Sequence, residues 1–210
     1  MPQSKTSSTI SLSAIVLAGG QSLRMGQDKA LIEIEGKPLL QRICEIAQAC
    51  ADSVYVVSPH NERYQALSID RVAFIQEMPL PIDIMPHGPL VGFAQGLSIV
   101  TTDWVLLLAC DLPNLQVEVL QGWIKELPDM PSEIIAALPK NPQGWWEPLC
   151  GFYHRRCLPN LEAFMQVGGR SFQRWLSRQT VQELSLPNPE ILFNCNTPAD
   201  LEQAGGEIRG

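Results

Sequence analysis

Apolar residues along this chain fall into short continuous runs that alternate with stretches of helical spacing. Residues 14–17, Ala-Ile-Val-Leu, form a run of the length expected for a buried strand. Gly36-Lys37-Pro38 then leads into a helix with Leu39, Ile43, Ile46 or Ala47, and Cys50 on one face, and Pro38 suits its first turn, where no N–H partner is lost. Strands are predicted at 53–58 and 72–75, and Gly88-Pro89 opens a helix running to about Val100. Residues 104–109, Trp-Val-Leu-Leu-Leu-Ala, are the most continuous apolar run and so the predicted centre of a sheet. Val117, Leu120, Trp123 or Ile124, and Leu127 mark the next helix. Strands follow at 133–138 and 149–153, on either side of a proline-broken loop at 139–144. Helices at 155–166 and 171–178 precede short strands near Val181 and at 191–193. Thr197-Pro198-Ala199-Asp200, close to a capping box, starts the last helix. This alternation predicts an α/β fold with a mostly parallel central sheet and helices on both faces. No repeat or low-complexity linker divides the chain, so one domain is expected over 12–210, after a flexible leader at 1–11 rich in Ser and Thr.

The first strand feeds directly into Leu17-Ala18-Gly19-Gly20-Gln21-Ser22-Leu23-Arg24-Met25-Gly26-Gln27-Asp28-Lys29. Gly19 and Gly20 permit a sharp turn and close approach to a ligand, because no Cβ intervenes. Arg24 and Lys29 add two cations to the same excursion. Strand, glycine turn and cations together make a place where backbone N–H groups and positive charge converge on phosphate oxygens. The loop is none of the common phosphate or nucleophile motifs. Gly26 is followed by Gln27 rather than the Lys of Walker A, no Gly-x-Gly-x-x-Gly is present, and Arg24 stands where a hydrolase elbow needs glycine. The alternative is an ordinary strand-to-helix turn with solvated charges.

Cys110-Asp111-Leu112-Pro113 directly follows the central apolar run. In open α/β sheets ligands bind beyond the carboxyl ends of the strands, which places Asp111 toward the same crevice as the glycine loop. A hard dication such as Mg²⁺ takes one or two carboxylates plus substrate phosphates, and Asp111 suits that task. Capping the next helix or closing the Leu-Pro turn is its structural alternative.

Leu-Ala-Gly-Gly-x-Ser-x-Arg-Met-Gly-x-Asp-Lys, the apolar strand ending in x-Asp-x-Pro, Gly88-Pro89-Leu90-Val91-Gly92 and Asn194-Cys195-Asn196-Thr197-Pro198-Ala199-Asp200-Leu201 together resemble the molybdenum cofactor guanylyltransferase family. The resemblance extends over most of the chain. It implies a Rossmann-like three-layer fold and transfer of GMP from GTP to molybdopterin, with release of pyrophosphate. It assigns catalysis to Arg24, Lys29 and Asp111, with Asp111 holding Mg²⁺. Nucleotide contacts are expected from Leu17, Ala18, Gly19, Gly20, Lys29, Ser58, Glu77, Gly88 and Asp111. Ser58 stands where many members carry Asn, and Glu77 is the acid nearest to the Asp that members carry before Gly-Pro-Leu. Arg170, Asn194 and Asn196 are the expected acceptor contacts. Thr197 reads as a helix cap, and Asn194 as the better ligand contact of the two asparagines. Glu147-Pro148-Leu149-Cys150-Gly151-Phe152-Tyr153 also resembles a family segment on the acceptor side, and Trp145 and Trp146 are either pterin-stacking or packing residues. Rival readings are the same chemistry with CTP or with a sugar or alditol phosphate acceptor, and a carrier that binds molybdopterin without catalysis.

Composition narrows the picture further. A formal net charge of −7 over 210 residues argues against a nucleic-acid surface. No apolar run approaches the ~20 residues that cross a bilayer, and no secretory signal is evident, so a cytoplasmic location is expected. The six cysteines form no Cys-x-x-Cys pair and read as buried free thiols. Expected partners are the two substrates, with transient contact to molybdoenzymes or other cofactor-biosynthesis proteins.

Overall fold

The structure is a computed structural model and describes residues 10–19, 28–79, 88–195 and 200. In chain order its strands are β1 (Leu12–Leu17), β2 (Glu33–Ile34), β3 (Lys37–Pro38), β4 (Ser53–Ser58), β5 (Val72–Gln76), β6 (Trp104–Ala109), β7 (Ala136–Leu138), β8 (Cys150–His154) and β9 (Val181–Glu183). The helices are α1 (Leu39–Gln48), α2 (Pro89–Ile99), α3 (Val117–Ile124), α4 (Leu158–Gln166) and α5 (Phe172–Leu176). Seven strands form one sheet in the order β5-β4-β1-β6-β8-β7-β9, which puts β6 in the middle as its unbroken apolar sequence predicts. β5, β4, β1 and β6 are mutually parallel, whereas β8 runs antiparallel to both β6 and β7.

Strand side chains alternate between faces, and the two faces bury separate cores. Ala14, Val16, Val54, Val56, Leu106 and Leu108 meet Leu40, Ile43 and Ala47 of α1 and Leu120 and Trp123 of α3. Ile15, Val57, Val105 and Leu107 meet Leu90, Phe93 and Leu97 of α2, Leu161 of α4 and Trp175 of α5. All six residues of β6 are buried, because helices cover it on both sides. The result is the expected three-layer α/β architecture. No helix among the described residues is long and apolar enough to cross a membrane.

Several boundaries differ from expectation, each for a local reason. Residues 191–193 are not a strand: Pro189–Leu192 form a 3₁₀ turn, with the Asn188 side chain accepting from Glu190 N–H and the Asn188 carbonyl from Ile191 N–H. A capping Asn followed by Pro outweighs three apolar residues. β7 is shorter than 133–138 because Ile134 N–H turns back to the Pro131 carbonyl. α3 ends before Leu127, where Leu127–Asp129 form a 3₁₀ turn containing Pro128. The β2–β3 hairpin was not anticipated. Glu35 and Gly36 both adopt positive φ, 53° and 76°, as a two-residue hairpin turn requires, and Pro38 caps α1 instead of lying in its first turn. At the end of the expected leader, Ser11 donates to Asp52 and Ile10 packs on the core. The last helix lies outside the described residues except for helical Asp200.

Gly151 of β8 faces Leu107 of β6, and a Cβ there would stand 2.7 Å from the Ala137 carbonyl oxygen of β7. Gly151→Ala is therefore expected to destabilise the fold by about 1–3 kcal/mol. A lowered urea midpoint would register this, and an unchanged midpoint would show that β7 yields freely.

Candidate active site

Four parallel strands end side by side, and hydrogen bonds continue the pairing just past them. Ala18 N–H donates to the Val57 carbonyl, Glu77 N–H to Ser58 and Cys110 N–H to Leu17. The chain segments leaving β1, β4, β5 and β6 are thus held at one edge. Gly19 turns there with φ of 113°, and a Cβ on it would lie 2.7 Å from Pro59 Cδ. Both the backbone conformation and the close contact require glycine.

The chain returns to this edge at Asp28. The Asp28 carboxylate accepts from Ala30 N–H at 3.1 Å and caps the 3₁₀ turn Lys29–Leu31. That turn brings Lys29 Nζ to 3.7 Å from Asp111 Oδ2, with both side chains about four-fifths buried at 17 % and 21 % exposure. Burial raises the Asp111 carboxyl above its ordinary range, and the Lys29 ammonium pulls it back down. The backbone of Asp111 is engaged as well, since Cys195 N–H donates to its carbonyl at 3.1 Å. This bond carries the C-terminal Asn194-Cys195 segment to the end of β6, and Cys195 seals it by packing against Ile32, Ile34 and Leu39. Asn194 itself donates to the Leu192 carbonyl.

The other expected contacts lie along the start of α2. Gly88 caps that helix, and Glu77 extends over its first turn, with Oε2 2.8 Å from where a Cβ on Gly92 would stand. Leu17 Cδ2 approaches the same point at 3.5 Å, which joins the end of β1 to the head of α2. Ser58 is fully buried, and its hydroxyl accepts from His60 N–H beneath Gly19, so it offers a ligand no exposed surface in this conformation. Arg170 lies behind Gly88, with its guanidinium donating to the Met165 and Gly169 carbonyls at the end of α4. Trp146 is engaged by Lys140 Nζ, 4.4 Å from its ring centroid, while Trp145 is 62 % exposed. Gly20, Arg24 and Asn196 lie outside the described residues.

The structure therefore brings together Leu17, Ala18, Gly19, Lys29, Asp111 and the Asn194 segment, with Glu77 and Gly88 alongside. The sequence reading gave Asp28 no role. Its signal was available in an Asp directly before the cationic turn, a common capping position. Tyr64, which donates to Asp28 Oδ2 at 2.9 Å, carried no such signal, because the contact spans 36 residues. All six cysteines are free thiols.

The MobA-like NTP transferase domain pattern matches residues 14–183. The chain belongs to this family. Within it, the MobA-like chain is 60% identical over 197 residues to a probable molybdenum cofactor guanylyltransferase from a Nostoc species, covering 94% of this chain and 92% of the relative. It is 45% identical to a protein of the same name from Synechococcus elongatus, over 91% of this chain and 96% of that one. The crystal structure of molybdopterin-guanine dinucleotide biosynthesis protein A from Archaeoglobus fulgidus shares the fold, with a TM-score of 0.74 and 24% identity over 92% and 96% of the two chains. The Asn194 segment of this MobA-like chain lies beyond the matched domain pattern, yet the fold returns it to Asp111.

A carboxyl with a raised folded pKa holds its proton more tightly in the native than in the unfolded chain. Stability then falls as pH climbs from the unfolded value to the folded one. Asp111→Asn is expected to melt above the parent protein at neutral pH, with the gap closing as pH drops below the ordinary carboxylate range. Thermal denaturation at both pH values checks this, and a lower neutral-pH melting temperature for Asp111→Asn would mean that pairing with Lys29 outweighs burial.

Proposed function

We propose that this protein transfers GMP from GTP to the terminal phosphate of molybdopterin, with or without bound molybdenum, releasing pyrophosphate. The observation that carries the reading is the Lys29–Asp111 pair at the shared end of β1 and β6, beside the Gly19 turn. The names of the relatives supply the substrates. An oxygen of the pterin phosphate attacks the α-phosphorus of GTP while the bond to the α–β bridging oxygen breaks, so the electron pair leaves with pyrophosphate. No enzyme nucleophile is required, since orientation and charge neutralisation supply most of the acceleration in phosphoryl chemistry.

In this reading the Leu17-Ala18-Gly19 backbone lies against the nucleotide, and Glu77 and Gly88 border it at the head of α2. Lys29, with Arg24, neutralises the triphosphate and the departing pyrophosphate. Asp111 is the metal ligand. A single carboxylate, buried enough to hold its charge at a cost yet still about one-fifth exposed, fits the habit of Mg²⁺ to combine one or two carboxylates with substrate phosphates. When bound, Mg²⁺ supplies Lewis-acid charge neutralisation at phosphate oxygens. Arg170, Asn194 and Asn196 belong to the acceptor side.

The test is pyrophosphate release with each NTP and purified molybdenum–molybdopterin. GTP alone should support turnover, and EDTA should abolish it. Consumption of CTP with GTP ignored would favour the cytidylyl version, and pterin binding without pyrophosphate would favour a carrier. Asp111→Ala is expected to fold and lose turnover, and Lys29→Ala to lower kcat/KM by roughly 10²–10³-fold. Near-parental rates in either variant would remove that residue from the mechanism.

A further inference from the structure

Tyr64 is fully buried, between the 3₁₀ turns Asn61–Arg63 and Gln65–Leu67 that follow β4. A phenylalanine would fill the same space without placing a hydroxyl in the core, and a buried hydroxyl is costly unless it is hydrogen-bonded. Here it is bonded: Tyr64 donates to Asp28 Oδ2 at 2.9 Å. Burial, then the Asp28 charge, pushes the phenol pKa up, so the hydroxyl keeps the proton it donates. Arg63 Nη1 adds a cation 3.6 Å from the same carboxylate oxygen. The other oxygen shapes the turn that bears Lys29. A three-residue 3₁₀ turn has little stability of its own and depends on such anchoring. At the end of β4, Ser58 Oγ is 3.0 Å and Pro59 Cδ 2.7 Å from where a Cβ on Gly19 would stand.

We propose that Tyr64 and Asp28 are positioning residues, a buried anchor that holds the turn bearing the Lys29 ammonium in place beside Asp111. The same corner after β4 lies against both described ends of the glycine-rich segment, with Ser58 and Pro59 at Gly19 and Tyr64 at Asp28. The kinetic consequence rests on the nucleotidyl-transfer reading of the Lys29–Asp111 site, whereas the anchoring itself does not.

Tyr64→Phe deletes one hydroxyl and keeps the ring. With GTP and molybdenum–molybdopterin, its kcat is expected to fall on the order of ten- to a hundredfold through displacement of Lys29, with the acceptor KM unchanged. Introduced into Lys29→Ala, the same change should cost no further activity, because the group it positions is gone. Asp28→Asn, which retains an oxygen for Ala30 N–H, should recover part of the loss seen in Asp28→Ala. Without any substrate, amide exchange at Ala30, Leu31 and Ile32 should quicken about tenfold in Tyr64→Phe while β6 stays protected. Unchanged exchange at these amides, or losses that simply add between Tyr64→Phe and Lys29→Ala, would overturn the anchor. If the parent protein releases no pyrophosphate from any NTP, the proposed reaction falls, and the exchange measurement still decides the anchoring.

Discussion

Leu17 and Ala109 are register partners at the ends of two neighbouring parallel strands, and the Cys110 N–H bond to the Leu17 carbonyl carries that pairing one residue past the sheet. The geometry of the site follows from this register. Because side chains alternate along a strand, a one-residue slip would turn Ile15 into the face of Val16 and bury the wrong set against α1. The two packed cores therefore lock β1 against β6, and the lock in turn fixes how far Asp111 lies from the Gly19 turn. Lys29 reaches Asp111 from a separate turn, the one capped by Asp28.

Among the described residues, electrostatics at this edge is arranged with few charges. Asp111 is raised by burial and restrained by a single ammonium. Asp28, with its own cation in Arg63, has both carboxylate oxygens occupied in shaping backbone and anchoring Tyr64. Two acids separated along the chain by 83 positions thus divide the work. One is engaged in local architecture, and the other keeps part of its surface open toward the cleft.

What the amino-acid order made legible was whatever depends on short-range pattern. β4 and β6 coincide with their apolar runs, and α2 starts at its Gly-Pro signal, because each signal lies within a few adjacent residues. The pairing of the glycine loop with Asp111 was also readable, since parallel strands in such sheets deliver their carboxyl ends to one crevice. Turn chemistry at Asn188-Pro189 is present in the residues, but the three apolar residues beyond it mimic a strand. Ser58 and Arg170 were read as ligand groups; here Ser58 bonds within a buried turn, and the Arg170 guanidinium donates to carbonyls at the end of α4. Tyr64 could not have been found, because nothing in a local window announces a partner 36 residues away.

The change of direction at β8 has a consequence for how this architecture can vary. Ala109 N–H bonds the Leu149 carbonyl, so the chain enters β8 at the edge where β1 and β6 finish. Asp111 thus sits on a border. Connections from the parallel half reach it from one flank, and the 139–149 loop with the Asn194 segment approaches from the other. Loops accept sequence change far more readily than the strands that carry them. Evolution can accordingly remodel the second flank for a new recipient molecule while the first flank, with its inherited grip, stays as it is.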